Sequence, residues 1–174
     1  DENGSLVGTY YTDENGKIEI KDLRIGNYKL KEISTNEWYN LAENQNLQIK
    51  WNETTKTQVE DELKKGQIKV IKVDKENNEI KIPNVVFEVQ DSNGNLLEKI
   101  KTDQNGEAIT SKYPLRDYPN LRLHEVETDE KYALENEIKE ITLEENQIKE
   151  VKIENEKIKG YIQIVKTSKD DNKI

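Results

Sequence analysis

The stretch that decides the fold reads Gly-Gln-Ile-Lys-Val-Ile-Lys-Val-Asp at residues 66–74. β-Branched residues dominate it and alternate with polar ones, which is typical of a strand with one face against a core. Ile68, Val70 and Lys72 share that apolar face. An ammonium group directed toward a core must either extend back to solvent or have a chemical role inside the protein.

The same pattern returns near the end of the chain, where residues 160–168 read Gly-Tyr-Ile-Gln-Ile-Val-Lys-Thr-Ser. Lys166 follows Lys72 by 94 positions (166 − 72) and is again in phase with apolar neighbours. Other segments recur at similar offsets, among them Asp-x-Asn-Gly and a strand that ends in glutamate. Recurrence at a period of one small domain indicates a tandem-repeat protein.

The repeat divides the chain into three segments. Residues 1–65 are predicted to be the C-terminal part of one repeat, residues 66–159 a complete repeat, and residues 160–174 the opening strand of a further one. The chain therefore looks like an internal segment of a longer protein.

Composition excludes several classes of function. Only 32% of the 174 residues are hydrophobic, but they alternate in short runs between turn residues, which favours small β-sandwiches over disorder. The net charge of −9 disfavours nucleic acid and anionic membrane surfaces as partners. No apolar run is long enough for membrane insertion in this segment. Without cysteine, the chain has neither disulfides nor a thiolate metal site.

The complete repeat is predicted to be all-β, with helical periodicity absent and seven short antiparallel strands forming a sandwich. The predicted strands span residues 67–74, 84–90, 95–102, 106–111, 120–127, 137–143 and 147–155. The core candidates in two of them are Val85, Phe87, Val89, Ile138, Ile141 and Leu143.

Four Asp-x-Asn-Gly tetrads begin at Asp1, Asp13, Asp91 and Asp103. Their carboxylate and amide oxygens are suited to calcium, but no tetrad continues with the further acidic residues of an EF-hand loop. We interpret them as β-turns with glycine at a positive φ angle, and we predict neither a metal nor a cofactor.

Two more polar residues lie in phase with apolar neighbours. Glu125 continues the face of Leu121 and Leu123, and Asn155 continues that of the last strand. Lys72, Glu125 and Asn155 are thus predicted to point into one apolar layer. Burial lowers the pKa of a lysine, and a neutral amine is a nucleophile that can attack an amide carbonyl and expel ammonia. The simpler alternative is that Lys72 extends to solvent and forms an ordinary salt bridge with Glu125.

Several motifs together resemble a known family. They are the stretch 66–74, the Thr-Asp-x-Asn-Gly turns, Leu-Arg-Ile-Gly-Asn-Tyr-Lys-Leu-Lys-Glu at 23–32, and Val-Lys-Ile-Glu-Asn at 151–155. Their order and recurrence are similar to the Cna protein B-type (SpaA-like, prealbumin-like) domains of Gram-positive surface adhesins and pilins. The resemblance covers essentially the whole chain. It implies tandem transthyretin/prealbumin-like (Ig-like) antiparallel β-sandwiches with spontaneous intramolecular Lys–Asn or Lys–Asp isopeptide bonds.

The resemblance also implies roles for the residues of the complete repeat. Lys72 is the expected isopeptide nucleophile, Glu125 the catalytic acid and base, and Asn155 the acceptor. The reaction would occur once per molecule, so the chain is not expected to be an enzyme. His124, the one histidine of the sequence, has neither a serine nor a cysteine in a recognisable catalytic-triad setting.

The partial repeats carry the corresponding residues. Glu32 is the expected catalytic residue and Asp61 the acceptor of the first repeat, whose lysine lies upstream of residue 1. Lys166 is the expected nucleophile of the third repeat. An alternative left open is that Lys166 of one molecule meets Glu32 and Asp61 of another.

The predicted function is a structural stalk of an extracellular, cell-wall-anchored adhesin or pilus-like protein, with neighbouring repeats as partners. The alternative is a ligand-binding module that contacts a host matrix protein such as collagen. The sequence indicates no large exposed aromatic patch for such binding, since Trp38 and Trp51 occur only in the first repeat and fit either a core or a surface position.

Overall fold

A computed structural model describes residues 1–167 and 169. The chain divides into two compact units, Asp1–Lys64 (unit 1) and Lys65–Ile174 (unit 2). Part of the predicted opening strand at 160–174, namely residues 168 and 170–174, lies outside the described residues. Within the part that is described, every regular element is a β-strand, as the alternation of apolar residues predicts.

The strands are numbered in chain order. Their bounds are β1 Gly26–Leu30, β2 Gln45–Ile49, β3 Lys65–Asp74, β4 Val86–Gln90, β5 Leu96–Lys101, β6 Glu107–Ile109, β7 Tyr113–Pro114, β8 Asn120–Glu127, β9 Lys139–Thr142 and β10 Ile148–Asn155.

Unit 2 is a sandwich of two sheets. One has the order β10-β3-β6, with β7 also pairing with β3, and the other has the order β5-β4-β8-β9. Alternate residues of both sheets form one hydrophobic core, because each strand directs every second side chain inward. Val85, Phe87 and Val89 lie in that core, as predicted. So do Ile68 and Val70 of β3.

The expectation of purely antiparallel strands is wrong for one pair. β3 and β10, the first and last strands of unit 2, run parallel. A parallel neighbour cannot be reached through a tight hairpin and needs a long crossover. Here the crossover is residues 75–147, which contain all four strands of the second sheet as well as β6 and β7.

Two details of the strands also differ from the prediction. The strand predicted at 106–111 ends at Ile109, because Thr110 uses its hydroxyl to accept a hydrogen bond from the backbone of Ile68 at 3.0 Å. Ile138 is exposed rather than in the core, whereas Ile141 and Leu143 are buried. Residues three apart on a strand face opposite sides, so Ile138 cannot share the face of Ile141.

The four Asp-x-Asn-Gly tetrads are β-turns, as interpreted. In each, the glycine amide donates to the carbonyl of the aspartate at 3.0 Å. Each glycine has a positive φ angle, between 69° at Gly106 and 87° at Gly94. Aspartate side chains in these turns accept backbone amides rather than pointing together as ligands.

Unit 1 contains the antiparallel pair β1–β2, in which Tyr28 lies opposite Leu47. Many of its large apolar side chains are exposed, and Trp51 is 84% exposed and Trp38 37% exposed. In unit 2, residues 160–167 follow β10 and form no strand. Their apolar side chains are also exposed, with Ile162 at 88%.

Candidate functional site

The site begins with the backbone of Lys72, which is held on both sides. Its amide donates to the carbonyl of Gly106 at 2.8 Å, and its carbonyl accepts the amide of Ile82 at 3.0 Å. A Cβ atom at position 106 would lie 2.6 Å from the carbonyl oxygen of Lys72, so only glycine permits this close approach. Lys72 is therefore fixed in the middle of the sandwich.

The lysine side chain points into the core with no exposed surface. Its Nζ atom lies 5.7 Å from the centroid of the Phe87 ring. Phe87 lies opposite Glu125 in the β4–β8 ladder, so the glutamate enters the same layer from the second sheet. Asn155 enters from β10, where Lys72 is paired with Ile153 and Asn155 is the next residue on that face.

The structure brings the three predicted side chains into mutual contact. Lys72 Nζ donates to Asn155 Oδ1 at 2.5 Å and lies 2.6 Å from Glu125 Oε2. Asn155 Nδ2 donates to Glu125 Oε1 at 2.5 Å. Glu125 and Asn155 are each 2% exposed. The three groups form a closed ring in which the two oxygens of one carboxylate face two nitrogens.

The surroundings of Lys72 weaken the hold of its amine on a proton. Burial lowers the pKa of Lys72 from its usual 10.5, and this outweighs the hydrogen bond and negative charge of Glu125, which raise it. Removing an ammonium group from water penalises its charged form most. The amine can therefore transfer its proton to the adjacent carboxylate more easily than a surface lysine can.

Sequence reasoning missed Thr128, whose hydroxyl accepts a hydrogen bond from Asn155 Nδ2 at 3.0 Å. The side-chain amide is thus oriented by two acceptors, Thr128 and Glu125. A signal for this residue exists in the repeat, because Thr35 precedes it by 93 positions (128 − 35).

A second cluster, also missed, anchors the end of β3 beside the ring. Asp74 is buried and lies opposite Asn155 in the parallel ladder. One of its carboxylate oxygens lies 2.7 Å from Lys157 Nζ and accepts the hydroxyl of Tyr132 at 2.9 Å. The other accepts the amides of Glu76 and Asn77. These contacts hold the pKa of the Asp74 carboxyl well below its usual range, and the hydrogen bond with Lys157 has the largest effect.

The corresponding residues of unit 1 are only partly assembled. Glu32 is half-buried and accepts the amide of Ala42 at 2.7 Å. Asp61 accepts the hydroxyl of Thr35 through Oδ2, while its buried Oδ1 has no hydrogen-bond partner. Lys166 lies in the exposed segment 160–167 of unit 2, outside any strand.

The described residues contain no group of three or more acidic or histidine side chains placed to hold a metal ion. Within the same residues, no helix has the length and apolarity needed to cross a membrane.

With this geometry in place, the relationship of the chain to known proteins is clear. The family model for the SpaA prealbumin-like fold domain matches residues 1–63 and 66–157. The chain belongs to this family. Its members are structural domains, and pilins share the fold. No curated protein matches the chain.

Two solved structures illustrate the family fold. The Bacillus anthracis TIE protein is similar with a TM-score of 0.66 and 28% identity, over 84% of this chain and 28% of that one. A minor pilin of Streptococcus agalactiae is similar with a TM-score of 0.50 and 19% identity, over 89% of this chain and 70% of that one. The second likeness concerns the fold alone. The chain spans less than a third of the Bacillus anthracis protein.

The Asp74 cluster generates a prediction about pH. Because the folded-state pKa of Asp74 is depressed, its contribution to stability is present above the unfolded value of about 3.9 and is lost as the pH falls through the folded value. We expect Asp74→Asn to lower the melting temperature of unit 2 at pH 7. The difference in melting temperature between this variant and the unsubstituted chain should shrink steadily as the pH falls below about 4.

Melting curves followed by circular dichroism at a series of pH values check this. Asp117→Asn is the matched control, because Asp117 pairs with Arg116 on the surface and such pairs contribute little. A decrease in melting temperature for Asp74→Asn that is the same at every pH would contradict the account.

Proposed function

We propose that the chain is a stalk segment of a Gram-positive cell-surface protein, and that its complete unit is cross-linked by an isopeptide bond between Lys72 and Asn155. The single observation that carries the proposal is the closed, buried ring of Lys72, Glu125 and Asn155. Family membership supports the structural role and the surface location. On this proposal residues 1–65 and 160–174 belong to neighbouring repeats, which are the partners of the complete unit.

The chemistry follows from the ring. Glu125 takes a proton from Nζ through Oε2, the oxygen nearest the amine. The neutral amine attacks Cγ of Asn155, forming a C–N bond and placing negative charge on Oδ1. Glu125 then delivers this proton to Nδ2 through Oε1. It takes the second proton from Nζ as the charge on Oδ1 returns to the carbonyl and the bond from Cγ to Nδ2 breaks. One amide replaces another, and one ammonia leaves.

Two features of the fold favour the reaction. Holding amine and carboxamide in contact replaces an encounter in solution, which can reduce a barrier by roughly 7–11 kcal/mol. The product also contains no buried ammonium group, so the unfavourable burial of Lys72 is relieved when the bond forms.

The position of the bond suits a protein under tension. It joins the first strand of unit 2 to the last through two neighbouring strands of one sheet. A force applied along the chain enters near Gly66 and leaves after Asn155. It would therefore pass through the cross-link and bypass residues 73–154.

Intact-mass measurement tests the bond. We expect the unsubstituted chain to have the mass of its sequence less one ammonia. Glu125→Gln should retain the full mass, because a neutral amide cannot accept the proton from Nζ. Asn155→Asp should instead lose one water, because a carboxyl group that is converted to an amide expels one of its oxygens as water.

The control is Glu127→Gln, a substitution at the exposed end of the same strand. It should show the same ammonia loss as the unsubstituted chain. An unsubstituted chain with its full sequence mass would disprove the cross-link.

Single-molecule stretching tests the stalk function. When unit 2 is pulled from its two ends, we expect no lengthening step from residues 73–154 in the cross-linked chain. In Glu125→Gln the same residues should unfold and lengthen the molecule in one step. A step of equal length in both chains would show that the bond carries no force.

A further inference from the structure

The reactive geometry of the ring depends on one rotatable bond of Asn155. The backbone of this residue is fixed against β3, since its carbonyl accepts the amide of Lys75 at 3.0 Å. Rotation about the Cβ–Cγ bond, however, exchanges the positions of Oδ1 and Nδ2. In the structure Oδ1 faces Lys72 and Nδ2 faces Glu125. A carboxamide turned halfway round would present its nitrogen, rather than its oxygen, to the lysine.

Lys72 and Glu125 fix this orientation only while both are charged. An ammonium group can only donate and a carboxylate can only accept, so together they accept one orientation of the carboxamide. Once the proton has moved from Nζ to the carboxylate, the neutral amine can accept from an amide nitrogen, and the carboxylic acid can donate to an amide oxygen. The two groups would then stabilise the turned carboxamide as well as the reactive one.

The hydroxyl of Thr128 is a third contact that does not depend on this proton. It accepts a hydrogen bond from Asn155 Nδ2 at 3.0 Å, on the side of the carboxamide away from Lys72. Rotation about the Cβ–Cγ bond in either direction must break this hydrogen bond. The side chain therefore remains restrained when the charges of its other two partners disappear.

The backbone around Thr128 explains why the hydroxyl is available at this place. Thr128 is half-buried and directly follows β8, which carries Glu125. The turn at residues 129–132 closes with a backbone hydrogen bond of 2.9 Å. The next amide, that of Ala133, donates to the carbonyl of Glu156 at 2.9 Å. The segment that begins with Thr128 is thus tied to the residue that follows Asn155.

Unit 1 contains the same contact with the hydrogen bond reversed. Thr35 precedes Thr128 by 93 positions (128 − 35), and Asp61 precedes Asn155 by 94 (155 − 61). The hydroxyl of Thr35 donates to Oδ2 of Asp61, whereas that of Thr128 accepts from an amide. A hydroxyl can donate as well as accept, so threonine suits either side chain. The contact recurs although the chemistry of its partner differs.

We propose that Thr128 is a positioning residue for the cross-link, and that its hydroxyl holds the Asn155 carboxamide in the reactive orientation while the proton moves between Lys72 and Glu125. This rests on the proposed function, because it assigns a further residue to the same reaction. No bond to Thr128 forms or breaks, and the ammonia leaves as already described.

Two substitutions separate the hydroxyl from the rest of the side chain. Thr128→Val keeps the branched shape and removes the hydroxyl, whereas Thr128→Ser keeps the hydroxyl and removes the methyl group. The full chains are made in a short pulse of cell-free synthesis, and their intact masses are followed over time. Protease treatment before each measurement restricts the rate of ammonia loss to chains that are already folded.

We expect Thr128→Val to lose ammonia roughly twofold to tenfold more slowly than the unsubstituted chain, the effect of one hydrogen bond. Thr128→Ser should restore the rate of the unsubstituted chain. A role in packing alone predicts the reverse, a slower Thr128→Ser and an unaffected Thr128→Val. If Thr128→Val does not fold, Thr128→Ala and Thr128→Ser give the same contrast, because they differ by one oxygen atom.

The matched control is Thr142→Val, which removes an exposed hydroxyl that donates to Asn120 Oδ1 at 2.7 Å, outside the ring. It should leave the rate of ammonia loss unchanged. In a chain with Asn155→Asp, Thr128→Val should likewise slow the loss of water, because the hydroxyl would then donate to the carboxyl as Thr35 does to Asp61.

Equal rates of ammonia loss in the unsubstituted chain and in Thr128→Val would overturn the role of Thr128. So would a rate that Thr128→Ser fails to restore. Either result leaves the proposed function intact, since ammonia is still lost. An unsubstituted chain that keeps its full mass would instead disprove the cross-link itself.

Discussion

The rest of unit 2 depends on one constraint, the burial of the Lys72 ammonium group in an apolar core. An unpaired charge in such a place would be strongly destabilising, because its hydration is lost. Glu125 supplies the opposite charge, and Asn155 supplies the hydrogen-bonding groups that complete the ring. Each of the three groups is acceptable in the core only while the other two are present. This mutual dependence keeps the amine against the carbonyl that it is proposed to attack.

The parallel pairing of β3 with β10 makes the ring possible. It sets Lys72 opposite Ile153 and brings Asn155 to the same face one step later. Asp74 then ties the end of β3 through Tyr132 and Lys157, just beyond the ring. A slip of one residue would turn the lysine to the other face of the sheet. The pairing register of β3 and β10 thus places residues from the two ends of unit 2 next to one another, although they are far apart in the sequence.

Alternation identified the three residues of the ring, which are in phase with apolar neighbours, although it gave the same pattern for the exposed Lys166. It also placed most strands within two residues. Alternation did not reveal that β10 runs parallel to β3, because side chains alternate between the two faces of a sheet in the same way in parallel and antiparallel strands. Thr128 was missed because it follows β8 in a loop, where alternation carries no information. Asp74 is in phase with Lys72 on β3 and was overlooked although alternation marks it. Ile138 was misassigned because it lies three residues before Ile141, a spacing that sets the two side chains on opposite faces.

Peptide mapping of the unsubstituted chain by tandem mass spectrometry tests the central claim most directly, because it locates the bond as well as detecting it. After complete proteolysis, the account predicts a branched peptide in which the fragment containing Lys72 is joined through its side chain to the fragment containing Asn155. The fragmentation pattern should place the new amide between these two side chains. Recovery of the two fragments only as separate linear peptides, with Lys72 and Asn155 unmodified, would contradict it.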